Sequence, residues 1–308
     1  MNEYPKIVFL GTPEFAVASL RALVEDGFSV AAVVTSPDKP AGRGLKVREA
    51  PVKQYAFQKN IPVLQPEKLR DPVFLEELRS FHADIQVVVA FRMLPEQVWA
   101  MPPLGTINLH GSLLPQYRGA APINRAIMNG ETITGVTTFK LQQQIDTGNI
   151  LLMEEIPIGP KENAGELHDR MKETGAKLVV QTIHGLVNGS LQEKPQRVAD
   201  PASLKTAPKI FTADCEIKWN DPVTKIYNQI RGLSPFPGAF TLLNAKTLKI
   251  FNARPDKNSD VAEPGKMETD GKSWLRFSAS DGFIYVEDLQ VEGKKRMAIA
   301  DFLRGYRD

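Results

Sequence analysis

Through the first half of the chain, short runs of β-branched and other apolar residues alternate with amphipathic stretches, the pattern of a parallel sheet covered by helices. Ile7 to Leu10, Val30 to Thr35, Ile85 to Ala90 and Thr106 to Leu109 read as strands. Pro13 to Asp26, Val52 to Asn60 and Pro72 to Phe81 read as the helices between them, which implies right-handed crossovers. Two more strands, around Gly135 to Leu141 and Asn149 to Ile156, flank the turn Asp146-Thr-Gly-Asn149. Asn163 to Val187 carries Leu167, Met171, Leu178, Ile183 and Val187 at helical spacing, and Asn163 followed by Glu166 gives it a capping-box start.

Beyond that helix the pattern changes. Gly189-Ser190 and then Pro195, Pro201 and Pro208 interrupt any period, so residues 191–207 read as an extended linker. After a short helix from Val223 to Arg231, apolar runs alternate with Gly and Asn turns, which predicts a small β domain. The expected architecture is α/β: a Rossmann-like, mostly parallel sheet with helices on both faces over residues 1–190. The linker then leads to a smaller C-terminal β-barrel (OB-like) domain over residues 208–308. No internal repeat is visible.

Composition narrows the class. At 308 residues, 42% hydrophobic and 24% charged, the chain has the profile of a globular protein. No run approaches the length of a bilayer span, and the start lacks a basic stretch ahead of a cleavable apolar one, so the expected location is cytoplasmic with no membrane partner. A single cysteine, Cys215, excludes an internal disulfide and a Cys-rich metal site.

Net charge is only +2, yet its placement is uneven. Lys39 to Lys59 holds six basic residues against the single acid Glu49, and Lys194 to Arg254 holds ten against four. Two basic segments on an otherwise acidic chain suit a polyanion such as nucleic acid, although solvated faces look the same in sequence.

A strand followed by Gly11-Thr-Pro-Glu-Phe15 invites a dinucleotide site. The three-glycine fingerprint is absent, and Pro13 removes a needed amide donor, so a dehydrogenase finds little support. Asn108 and His110, two apart on a strand, share a side and converge at its carboxyl end, where open α/β sheets bind ligands. An amide beside an imidazole suits a developing oxyanion; local capping of backbone groups is the plainer role. Asp146, in the turn between two strands, can orient and charge that histidine, or serve only as a turn aspartate. Ser112 lacks the nucleophile elbow that a serine hydrolase needs. His82, His168 and His184 read as surface residues, and no spacing of ligands predicts a metal.

Asn108 to Asn124, reading NLHGSLLPQYRGAAPIN, resembles the formyltransferases that use 10-formyltetrahydrofolate. Gly11-Thr-Pro-Glu-Phe-Ala16, Pro37-Asp-Lys-Pro-Ala-Gly-Arg-Gly44, Ala207-Pro-Lys-Ile210 and Ile230-Arg-Gly-Leu-Ser-Pro-Phe-Pro-Gly-Ala239 resemble the methionyl-tRNA formyltransferase family within them. Glycinamide-ribonucleotide formyltransferases resemble the first half only. Sugar-nucleotide formyltransferases are nearer rivals, and the basic segments favour tRNA over both. The resemblance implies formyl transfer from 10-formyltetrahydrofolate to methionyl-initiator-tRNA, with Asn108, His110 and Asp146 catalytic and no metal; a monomer is expected. It implies folate contacts at Ser112, Leu113, Leu114 and Pro115 and at Phe91, Arg92, Met93 and Leu94. Arg43, Lys46, Lys205, Lys209 and Arg231 are the expected tRNA contacts. Two places depart from the family: Arg92 stands where it usually has glycine, and Gln142-Gln143-Gln144 where it commonly shows Asp and Gly. A relative that binds these ligands without turnover is the alternative.

Overall fold

The computed structural model describes residues 5–41, 46–198, 200–257 and 263–305. The chain divides into two compact units, and neither is one continuous stretch. One comprises Met1–Arg118, Gly135–Ile156 and His168–Lys205; the other comprises Gly119–Thr134, Pro157–Leu167 and Thr206–Asp308.

In chain order the first half gives β1 (Lys6–Gly11), α1 (Glu14–Glu25), β2 (Ser29–Val34), β3 (Lys39–Ala41), β4 (Lys46–Arg48), α2 (Pro51–Gln58), β5 (Val63–Leu64), α3 (Pro72–Ser80), β6 (Ile85–Val89), α4 (Glu96–Trp99) and β7 (Thr106–His110). There follow β8 (Arg118–Gly119), α5 (Pro122–Met128), β9 (Ile133–Lys140), β10 (Ile150–Pro157) and α6 (Ala164–Val187). A seven-stranded sheet runs in the order β10-β9-β7-β6-β1-β2-β5. β7, β6, β1, β2 and β5 are parallel, and β9 joins β7 antiparallel. The strands buried on both faces are the continuous apolar runs seen in the sequence. Val8, Leu10, Ala32, Val34 and Val88 share a core with Phe74 and Leu78 of α3 and Val98 of α4. Leu109, which alternation puts on the other face, lies against Gly175 of α6, where an added Cβ would come within 2.7 Å of it. Asp71 caps α3 by accepting from the Val73 N–H at 2.9 Å. The α6 capping box is present: Asn163 Oδ1 accepts from Glu166 N at 3.1 Å, and Glu166 Oε2 from Asn163 N at 2.9 Å.

The second unit contains β11 (Thr206–Ala207), α7 (Thr212–Cys215), α8 (Val223–Gly232), β12 (Ala239–Leu243), β13 (Lys246–Lys257), β14 (Met267–Thr269), β15 (Leu275–Ala279), β16 (Gly282–Val291), β17 (Met297–Ala298) and α9 (Ile299–Gly305). Its antiparallel sheet, ordered β12-β13-β16-β15-β14 with β17 on β16, forms an OB-like half-barrel. Asn244 and Ala245 both take positive φ in the two-residue β12–β13 turn, as a hairpin of that length requires. Val223, Ile226 and Ile230 of α8 fill the sheet's concave face with Leu248, Ile250, Phe277 and Ile284. Sequence periodicity missed the edge strand β5, the β3–β4 pair, α4, α5, α7 and α9, all too short to show a period. No helix among the described residues is long and apolar enough to cross a membrane.

Candidate active site

β7 delivers both polar residues to the carboxyl edge of the parallel strands. Asn108 pairs with Phe139 and His110 with Thr137 on β9, so the backbone fixes the two side chains before any side-chain bond is made. The Asn108 carboxamide is half-buried. His110 is buried, and its Nε2 lies 2.9 Å from the Tyr117 carbonyl. A carbonyl only accepts, so Nε2 carries the proton and Nδ1 is the nitrogen left to react. Asp146 Oδ2 stands 3.9 Å from Nδ1. That is too long for a hydrogen bond, and it leaves the carboxylate facing Nδ1. Phe139 meets the ring edge-on, with the ring centres 6.5 Å apart.

Asp146 holds φ at +53°, a left-handed conformation that aspartate tolerates better than most residues. The turn around it is pinned from the segment that reads in sequence as a linker. Gln196 Nε2 donates to the carbonyls of Asp146 and Gly148 at 2.9 and 2.8 Å, while its Oε1 accepts from Arg118 Nη2 at 2.6 Å. Glu193 takes Lys140 Nζ at 2.6 Å and Asn149 Nδ2 at 3.0 Å, and Lys194 bridges Ile150. The Lys140 ammonium, then the Asn149 amide, holds the Glu193 carboxyl below its ordinary range. Gly148 admits no side chain, since a Cβ would fall 1.6 Å from the Lys140 carbonyl. Nothing in the composition of residues 193–196 announces this role, because it is carried by a backbone bridge and one amide.

The Ser112–Pro115 segment folds back on itself. Ser112 is fully buried and its hydroxyl donates to the Gln116 carbonyl at 2.6 Å; Leu114 is 2% exposed. Thr137 Oγ1 donates to the Ser112 carbonyl at 2.6 Å and accepts from Leu114 N at 3.2 Å. The Ser112 and Leu114 side chains, both expected at the folate site, are turned inward and shape the turn, and Leu113 and Pro115 are its partly exposed members. After β6, Ala90 turns the chain with φ +47°, Phe91 and Leu94 pack into the core cluster, and Met93 is 73% exposed. Arg92 donates through Nη1 to the Glu67 carbonyl at 2.8 Å and through Nη2 to that of Pro66. Both terminal nitrogens reach backbone carbonyls, so Arg92 ties two loops together at the sheet's carboxyl edge. Burial pushes its guanidinium below the ordinary value, though an arginine stays cationic.

Similarity to known proteins fits this geometry. Residues 5–183 match the family model described as formyl transferase, and residues 209–307 the formyl transferase C-terminal domain. The methionyl-tRNA formyltransferase of Bacteroides thetaiotaomicron is 50% identical over 308 residues, covering 98% of this chain and 96% of the relative. That of Parabacteroides distasonis is 51% identical over 310 residues, with the same coverage. The chain belongs to the methionyl-tRNA formyltransferase family. Among solved structures, HypX of Aquifex aeolicus in complex with tetrahydrofolic acid shares the fold with a TM-score of 0.67 at 18% identity, over 97% of this chain and 47% of that one. An N-formyltransferase from Helicobacter canadensis, in complex with folinic acid and dTDP-3-aminofucose, gives 0.67 at 22% identity, over 92% and 98%.

The basic residues expected to meet tRNA in this family scatter among several environments. Arg43 lies outside the described residues, and of Lys46 only its place in β4 is described. Lys53, a neighbour in the same basic segment, is buried on α2 between Asp38 and Glu49, the residues that flank the β3–β4 pair. Its bond to Asp38 raises the ammonium and lowers the carboxyl, each being the other's largest influence. Lys205 and Lys209 are exposed. The Lys205 backbone is bound to Gln116 and Tyr117, the loop that holds His110. Arg231 is 7% exposed, and its Nη1 donates to the carbonyls of Gly159 and Glu162 at 3.1 and 2.9 Å and its Nη2 to Asn228 Oδ1 at 2.9 Å. Arg231, also expected among the tRNA contacts, is thus an internal staple: its terminal nitrogens tie the Gly159 and Glu162 carbonyls to Asn228.

Proposed function

We infer that the protein transfers the formyl group of 10-formyltetrahydrofolate to the α-amine of methionyl-initiator-tRNA, in the cytoplasm and as a monomer. The observation that carries the reading is about 50% identity to methionyl-tRNA formyltransferases along almost the whole chain; Asn108, His110 and Asp146 at one strand end supply a chemistry for it.

The formyl carbon of the donor is amide-like. Attack by the amine forms a C–N bond and leaves negative charge on the formyl oxygen of a tetrahedral intermediate. A donor aimed at that oxygen contributes roughly 3–4 kcal/mol to lowering the barrier. The Asn108 amide and a protonated His110 Nδ1 meet that need, with the Asp146 carboxylate stabilising the imidazolium. The amine must lose a proton and nitrogen 10 of the folate must gain one as the bond between the formyl carbon and nitrogen 10 breaks and tetrahydrofolate leaves. Asp146 assists that relay through water. Leu113, Pro115, Phe91, Met93 and Leu94 are proposed as walls of the folate site, and Lys46, Lys205, Lys209 and Arg43 as tRNA contacts.

The test is to incubate the protein with formyl-labelled donor and methionyl-initiator-tRNA. Label recovered as N-formylmethionine after hydrolysis of the ester bond supports the reading; label remaining on the folate at every enzyme concentration overturns it.

A further inference from the structure

Phe211 is a large aromatic left 61% exposed, and nothing in the catalytic scheme uses it. Its backbone is held firmly. Phe211 N donates to Asp214 Oδ2 at 2.8 Å, and Asp214 N returns a bond to the Phe211 carbonyl at 3.0 Å. Arg125 completes the mount. Its Nη2 lies 3.2 Å from Asp214 Oδ2, its Nε donates to the Pro208 carbonyl at 3.3 Å, and Nη2 also reaches that of Lys209 at 3.4 Å. The Phe211 amide, then Arg125, keeps the Asp214 carboxyl below its ordinary range, so the mount is charged at neutral pH. One guanidinium and one carboxylate thus fix the backbone on both sides of Ile210, while the side chains of Lys209 and Phe211 remain outside. The Lys209 ammonium lies 5.7 Å from the centre of the Phe211 ring.

An exposed ring beside a cation, carried on a backbone already held in place, is what a nucleobase needs: a flat apolar face to stack on and a positive charge for the neighbouring phosphate. Pre-ordering the backbone removes part of the entropy that binding otherwise loses. Interior packing does not explain the ring, because most of its surface is in water. We propose that Phe211 stacks on an unpaired base of the RNA substrate while Lys209 contacts its phosphate backbone. This rests on the tRNA reading above and adds to it a specific aromatic contact in the second unit.

Stacking and charge separate experimentally, because only the charge contact releases counterions. Binding of methionyl-initiator-tRNA to the full-length protein is titrated from about 50 to 200 mM salt for the wild type, Phe211→Ala, Phe211→Leu, Phe211→Trp and Lys209→Ala. Thermal unfolding of each variant confirms that it is folded. Phe211→Ala and Phe211→Leu are expected to weaken binding about fivefold or more at every salt concentration with the salt slope unchanged. Phe211→Trp should bind as the wild type does, and Lys209→Ala should flatten the slope by about one unit. The KM for the folate donor stays constant throughout. Wild-type affinity in Phe211→Ala overturns the proposal. So does wild-type affinity in Phe211→Leu, which would mean an apolar contact of the kind a protein partner makes, and so does a Trp variant as weak as the alanine one. A wild-type protein that neither binds nor formylates the tRNA overturns instead the reading on which the proposal rests.

Discussion

His110 and Arg231 are buried to almost the same degree, at 6% and 7% exposure, yet their surroundings are opposite. Arg231 has both terminal nitrogens bonded, to two backbone carbonyls and one amide oxygen, while its buried Nε has no hydrogen-bond partner among the described residues. His110 has one nitrogen saturated and the other facing a carboxylate across a 3.9 Å gap. A buried group bonded to backbone carbonyls of its own fold holds structure; one with a nitrogen facing a charge across a gap is placed to meet a substrate. Burial alone does not separate scaffold from chemistry, and neither does charge. What the group faces does: backbone carbonyls for the terminal nitrogens of Arg231, a carboxylate across a gap for Nδ1 of His110.

The sharpest way to break this contrast is at the partners of His110. Replacing Asn108 or Asp146 singly by alanine should lower kcat by about a hundredfold, with little change in tRNA affinity or melting temperature. Because the groups act as a unit, the double variant should lose less than the product of the two single losses, which a double-mutant cycle measures. Arg231→Met is expected to do the reverse. It leaves the Gly159 and Glu162 carbonyls short of a donor and should destabilise the fold by roughly 2–4 kcal/mol, read as a lower denaturant midpoint, with kcat per folded molecule nearly unchanged.

Gln196→Ala sharpens the comparison by loosening the turn without touching the reacting groups. With the Asp146 and Gly148 carbonyls released, kcat should fall about tenfold while the KM for folate stays put. A smaller effect comes from acid. Glu193 titrates below its ordinary value of about 4.3 in the folded protein, so its contribution is present above that value and is lost as the pH falls through the lower, folded one. The stability difference between the wild type and Glu193→Gln should therefore be constant at neutral pH and close below about pH 4.

Much of the fold was legible in sequence. β1, β2, β6 and β7 are unbroken apolar runs because both faces of the sheet are covered, and α6 announces itself by its stripe and by Asn163 with Glu166. The three polar positions were legible too, since Asn108 and His110 sit two apart on a strand and Asp146 sits in a glycine-bearing turn. What stayed hidden depends on distance along the chain. The support for Asp146 comes from Glu193 and Gln196, some fifty residues on in a proline-bearing stretch. Arg231 and Lys209 are both cations in one basic segment, and only tertiary packing makes the first a staple and leaves the second in water.

Single-turnover formyl transfer by His110→Ala, with donor and tRNA both saturating, tests the central contrast most directly. A rate at least about a hundredfold below wild type, from a variant that melts at the wild-type temperature and binds tRNA equally well, is the expected result. A rate within about threefold of wild type would mean that the open nitrogen of His110 takes no part in the chemistry.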